Sequence, residues 1–104
     1  MMIVEWTKYA ENQRDKIANY ISRTFSENHM QTFIRKVWQS AKLLKYNPYM
    51  GSIDPLFADR PITYRSLVVA NKNKLVYHIV GEIIYIDAFW DCRQDPMAQA
   101  KKVK

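Results

Sequence analysis

Four side chains in the C-terminal half of this chain have the types that handle phosphate: Arg65, Lys74, His78 and Arg93. A guanidinium grips a phosphate through two parallel N–H bonds, and an ammonium binds it as a point charge. Both can stabilise charge that develops on a phosphoryl group during transfer. Histidine titrates near neutrality and can move the proton. Arg65, Lys74 and His78 lie where polar and apolar residues alternate, and Arg93 follows the last such run. Folding is therefore expected to bring them together on one open sheet face and at the end of its last strand. The competing reading of the same residues is a solvated face whose strand-edge lysines deter aggregation. Aromatic residues accompany them. Tyr85 and Trp90 are candidates for contact with a nucleic acid or another target, since such rings stack on bases. Phe89 and Tyr64 could stack likewise, although core packing is the commoner fate of Tyr64 and Trp90.

Other chemistries find little support. Asp87, Asp91 and Asp95 recur at every fourth residue, but no histidine or clustered glutamate joins them, so no metal site is expected. No Gly-rich phosphate loop, zinc spacing or serine-hydrolase elbow is present, and no cofactor is expected. Cys92 is the single cysteine. It cannot form an intrachain disulfide, which suits a reducing, cytoplasmic setting. The N-terminus lacks the pattern of a signal peptide, and no apolar run is long enough to span a membrane, so no membrane partner is expected.

The 104 residues are expected to form a single domain, with 96–104 as a frayed tail. Lysine and arginine number 16 against 10 acidic residues, a net charge of +6. That balance favours an anionic partner, whether nucleic acid, an acidic protein or an anionic surface. Residues 1–45 and 60–104 each hold eight basic and four acidic side chains, so a basic patch has to be assembled by folding.

The elements that would assemble it can be read from periodicity. Residues 3–6 form a short strand candidate, and Thr7 is placed to cap a helix. Ala10, Ile17, Tyr20, Ile21 and Phe25 fall on one helical face. Ser26 can cap a second helix, in which Met30, Phe33, Ile34, Val37, Trp38, Ala41 and Leu44 repeat at three and four. Asn47 and Pro48 end it, because the residue before a proline avoids helical geometry. The short turn between the helices predicts an antiparallel hairpin. Residues 48–61, with three prolines, a glycine and two aspartates, read as a loop.

From Ile62 the period changes to two. Strands are expected over 62–69, 74–79 and 84–89, with turns at 71–73 and at Gly81 and Glu82. The order is β-α-α-β-β-β, an α+β fold. Its helical hairpin packs on one face of a small, mostly antiparallel sheet. Leu75, Tyr77 and Ile79 should meet the helices. Lys74, Val76, His78 and Arg65 should occupy the opposite, uncovered face.

The ordered set of residues resembles the RelE/ParE superfamily of bacterial type II toxins over nearly the whole length. Val4, Glu5, Trp6 and Thr7 followed by Ala10 resemble the family's opening strand and helix start. Ile17, Tyr20 and Ile21 fit its first helix, and Phe33, Leu44, Pro48 and Gly51 fit the second helix and its exit. Tyr64 to Leu67, Lys74 to Ile79, Ile84 to Ile86 and Arg93 to Pro96 match its meander. The resemblance implies a toxin wrapped and neutralised by a cognate acidic antitoxin.

RelE-like members cleave mRNA on the ribosome without a metal. Arg65, Lys74 and Arg93 fall on their basic set, with His78 available for proton transfer. Two departures weaken that reading. Leu67 stands where RelE has a further lysine, and 94–104 lack the tyrosine that RelE carries after its final arginine. Both departures, and the Arg93-Gln94-Asp95-Pro96 ending, favour the ParE-like branch, whose members inhibit DNA gyrase without being enzymes. The expected function is thus a ParE-like, gyrase-directed toxin. The alternatives are a RelE-like ribosome-dependent endoribonuclease and a non-toxic nucleic-acid-binding module.

Overall fold

The structure, a computed structural model, describes residues 1–70, 72–93, 100, 101 and 103. Strand β1 (Ile3–Trp6) leads into α1 (Lys8–Thr24) and α2 (Glu27–Tyr46). Both helices start at the predicted caps. The Thr7 hydroxyl accepts a hydrogen bond from the Ala10 N–H at 3.2 Å, and the Ser26 hydroxyl accepts one from the His29 N–H at 3.1 Å. Three longer strands follow: β3 (Arg65–Val69), β4 (Asn73–Val80) and β5 (Ile83–Asp91). Gly81 takes a φ of +58° in the β4–β5 turn, a backbone region open to glycine at little cost. The turn expected at 71–73 includes Asn71, which lies outside the described residues.

The segment 48–61 is more ordered than a loop. It holds a two-residue strand, β2 (Ser52–Ile53), and a 3-10 turn at Pro55–Phe57. Asp54 caps that turn by accepting from the Leu56 N–H at 3.0 Å, and Pro55 supplies a backbone already set for it. The first of the three longer strands starts at Arg65, not at Ile62. Tyr64 lies just outside the strand; its carbonyl still accepts from the Asp54 N–H at 2.9 Å beside the β2–β3 pairing, and its ring packs on Phe57.

The five strands lie in the order β1-β5-β4-β3-β2. β1 runs parallel to β5, pairing Ile3 with Ile83 and Trp6 with Ile86, and every other pair is antiparallel. The helices cover one face. Ala10, Ala18, Phe33, Val37 and Leu44 pack there against Leu75, Tyr77, Ile84, Ile86 and Phe89. Leu75, Tyr77 and Ile79 do meet the helices, as alternation predicts. The α1 and α2 stripes are narrower than expected: Tyr20, Phe25 and Trp38 stay 54, 62 and 72% exposed.

Alternation fails in β5. Val76 pairs with Ala88 but Tyr77 pairs with Ile86, so Asp87 is an extra residue, a β-bulge. Ile84 and Ile86 face the helices, Ala88 and Trp90 turn to the opposite face, and Phe89 returns to the helices.

That opposite face is not open. Phe57, Tyr64, Val76, Ala88, Trp90 and Val103 form a second buried cluster on it, with Tyr9, Leu56 and Ala100 packed against them. Apolar side chains on both faces of β4 and β5 demand cover on both. The 3-10 turn and the end of the chain supply it. Arg60 fastens the latter, donating to the carbonyls of Ala100 and Val103. Of the expected tail 96–104, Ala100 and Val103 are therefore docked, while 96–99, 102 and 104 lie outside the described residues.

Candidate functional site

Each of the four predicted side chains sits in a different local setting. Arg65 opens β3 and pairs across the ladder with Tyr77, so it belongs to the helix-side face and not to the opposite face. The reason is register. Residues directly opposite in an antiparallel pair project to the same side, and Leu67 opposite Leu75 continues that side. Arg65 donates to the Gly51 carbonyl at 2.9 Å, and its guanidinium lies 5.0 Å from the Tyr49 ring centre. Gly51 is itself held by the buried Tyr77, whose hydroxyl accepts from the Gly51 N–H at 3.0 Å and donates to the Pro48 carbonyl at 2.7 Å. A Cβ at Gly51 would come within 2.8 Å of the Tyr77 ring and 2.9 Å of the Ser66 carbonyl. The approach of these two segments therefore requires glycine.

Lys74 lies on the opposite face and is tied down there. Its ammonium contacts Asp54 at 3.0 Å and sits 5.7 Å from the Trp90 ring centre. Burial acts to raise the Asp54 carboxyl. Hydrogen bonds from the Leu56 N–H and from Lys74, the lysine charge, and a bond from Ser66 outweigh it and hold the carboxyl below its usual value.

His78, on the same face, is paired through Nδ1 with Asp87 at 2.6 Å. Its ring stacks on Tyr85 at 5.4 Å and meets the edge of Tyr64 at 5.5 Å. Burial pushes the Asp87 carboxyl above its usual range, and the bond and charge of His78 only partly offset this. Asp87 reaches the histidine because the bulge turns it there. Burial, reinforced by the Asp87 charge and opposed by Arg60, likewise raises the Tyr64 hydroxyl.

Arg93 lies in the turn after β5, at the sheet end that Lys74 also occupies but towards α1 and α2, and it is exposed. Its Nε and Nη2 donate to the two carboxylate oxygens of Asp91 at 2.9 and 2.6 Å, and its backbone N–H donates to the same carboxylate at 2.8 Å. These bonds outweigh a small burial effect and lower Asp91 to about 2.

The four side chains therefore do not converge. Arg65 is on one face, Lys74 and His78 are on the other, and Arg93 lies past the end of β5. Burial, register and the bulge separate what alternation grouped. The closest approach to a shared site is a hollow of about 570 Å³ lined by Tyr49, Thr63, Arg65 and His78, at the start of β3. Lys74 and Arg93 take no part in it.

Trp90 offers no ring face for stacking. It is 2% exposed, stacked against Phe57, and its indole N–H donates to the Tyr9 hydroxyl at 3.3 Å. Tyr85 is half-buried against His78. Of the three regularly spaced aspartates, Asp87 and Asp91 are bound by His78 and Arg93, and Asp95 lies outside the described residues.

Sequence reasoning missed Asp54, Asp87 and Tyr49 as the partners of Lys74, His78 and Arg65. Asp54 carried a usable signal, since an aspartate before a proline is a helix-cap pattern. Asp87 carried none, because its direction depends on the bulge.

Among solved structures, the fold is similar to a chain of the chromosomal ParDE toxin-antitoxin system from P. aeruginosa. The TM-score is 0.71 at 18% identity, covering 88% of this chain and 96% of that one. No functionally curated protein matches the sequence. The family model for the ParE toxin of the type II toxin-antitoxin system, parDE, matches residues 4–96. With that match over most of its length, and with the two-helix, five-strand fold in agreement, the chain belongs to the ParE toxins of type II toxin-antitoxin systems.

Proposed function

We propose that this toxin acts in the cytoplasm by binding DNA gyrase, not by cutting RNA. The observation that carries the reading is the state of its cations. A ribonuclease must aim several donors at one scissile phosphate and keep a proton-transfer group within reach of it. Here Lys74 and Arg93 are each occupied by a carboxylate, and at the sheet end where β4 begins and β5 finishes they project to opposite sides. Arg65 is bound to a backbone carbonyl on the other face. Such an arrangement suits a rigid docking surface better than an active site.

One observation favours the ribonuclease alternative. His78, oriented by Asp87, opens on the same hollow as Arg65. Two assays separate the mechanisms. Purified toxin is expected to inhibit DNA supercoiling by gyrase and to leave ribosome-bound mRNA intact. Cleavage of that mRNA, lost in Arg65→Ala and His78→Ala, would overturn the proposal in favour of the nuclease. Steeply salt-dependent binding to generic DNA or RNA, with no effect on growth, would instead support a simple nucleic-acid-binding module.

A further inference from the structure

From Asn28 to Ile53 the chain has no acidic residue, and Arg35, Lys36, Lys42 and Lys45 fall within that stretch. Most of it winds into α2. At about 100° per residue, Arg35, Trp38, Lys42, Lys45 and Tyr46 share an arc of about 100°. Phe33, Val37 and Leu44, the buried residues of α2, lie on the other side of the helix. The stripe therefore faces outwards, and Trp38 and Tyr46 are 72 and 63% exposed on it. Among the described residues, no ion pair engages Arg35, Lys42 or Lys45.

Trp38, Lys42, Lys45 and Tyr46 border a hollow of about 620 Å³ between α2 and β1. No carboxylate lines it among the described residues. Arg14 lines it too, but its guanidinium is already engaged, 4.7 Å from the Trp6 ring centre and 3.1 Å from the Asp15 carboxylate.

Uncompensated cations select an anionic occupant, and the rings narrow its kind. Helices that lie on membranes segregate their cations from their apolar side. Here Lys42 stands between Trp38 and Tyr46 on one stripe. A second copy of the chain would bring the same cations, and its own +6, to the same place. A nucleic-acid duplex has the phosphates but keeps its bases stacked on one another. A single strand offers both phosphates for the cations and free base faces for the rings. Trp38 and Tyr46 are separated by about 12 Å along the helix axis. That distance spans about three to four phosphates at about 3.4 Å each.

We infer that this stripe of α2 binds single-stranded nucleic acid. Trp38 and Tyr46 stack on bases, and Arg35, Lys42 and Lys45 contact the phosphates between them. None of these residues belongs to the basic set of the β-strands, so the inference stands apart from the gyrase reading.

The test measures binding of the full chain to labelled oligothymidylate by fluorescence anisotropy over a range of salt. Three phosphate contacts predict a slope of about −2 for log affinity against log salt. Lys42→Gln should make that slope shallower by about 0.7. Trp38→Ala should weaken binding by about fivefold or more and leave the slope unchanged, and Trp38→Phe should recover most of the loss. Both side chains are exposed, so the melting temperature should not move. Lys101→Gln removes a charge from the chain end docked on the far sheet face and should leave the slope unchanged. Oligouridylate in place of oligothymidylate tells an RNA strand from a DNA strand, and a duplex of the same length should bind about tenfold more weakly or worse.

A slope and affinity untouched by Lys42→Gln and Trp38→Ala would overturn the inference. So would equal binding of strand and duplex. Binding to vesicles of anionic lipid in preference to either nucleic acid would overturn it in favour of a membrane surface, and a dimer dissociated by Trp38→Ala in favour of a second copy. Supercoiling by gyrase is a separate readout: its failure to respond to the toxin would strike at the gyrase reading and leave strand binding standing.

Discussion

Removing one oxygen from Tyr77 should loosen an entire segment. Tyr77 is 0% exposed, and its hydroxyl is the only described link by which the ring holds both the Pro48 carbonyl, at 2.7 Å, and the Gly51 N–H, at 3.0 Å. Tyr77→Phe keeps the ring, so little apolar packing is lost. It deletes two hydrogen bonds worth about 1 kcal/mol each and strands the buried Gly51 N–H, for a total of about 2–4 kcal/mol. For a domain of this size that corresponds to a fall in melting temperature of about 10–20 °C. Urea unfolding should show a lower midpoint with an unchanged slope, because the surface exposed on unfolding is the same. Hydrogen exchange adds a local readout: the Gly51 amide should lose its protection while amides in the centres of β4 and β5 keep theirs relative to global unfolding. A loss of under about 1 kcal/mol, or a Gly51 amide as protected as before, would refute the view that this phenol anchors residues 48–51.

Two further predictions concern the opposite face. Phe57→Ala should destabilise by about 3–5 kcal/mol, the cost of emptying an aromatic site in a core, because Phe57 packs on both Tyr64 and Trp90. Tryptophan fluorescence should shift to longer wavelength as Trp90 meets water, and an unshifted spectrum would contradict the second core. The folded-state carboxyl of Asp54 lies below its usual value. Its contribution is therefore present above the unfolded value, about 3.9, and is lost as pH falls through the folded one. Stability measured from pH 6 downward should drop less steeply in Asp54→Asn than in the wild type. Parallel curves would show that the Lys74 pair adds nothing.

Helix starts were legible because a cap is a local device. Thr7 and Ser26 need only the next three residues to act, and the structure uses both. The helix-facing side of β4 was legible for the same reason, since alternation holds wherever a strand is regular. The candidate site was less legible because its geometry depends on distant partners. Nothing in the residues around His78 reveals the bulge that turns Asp87 towards it. Nothing around Lys74 reveals that Asp54, 20 residues earlier, will meet it. The same nonlocality hid the second core, where Phe57 and Val103 meet over β4 and β5. Tyr20, Phe25 and Trp38 show the converse. Helical spacing placed them on apolar stripes, yet a two-helix layer on a small sheet leaves the stripe edges uncovered.

The parallel pairing of β1 with β5 has a consequence for synthesis. Ile3 has no ladder partner until Ile83 exists, and α1 closes onto β5 through Gln13, which accepts from the Phe89 N–H at 3.0 Å. At about 5–20 residues per second, the first strand waits roughly 4–16 s on the ribosome for its neighbour. A nascent chain stopped before residue 83 lacks β5, a strand that both cores share. An unfinished toxin is therefore an unfolded one, and the harmful surface arises only when nearly all of the chain has been made.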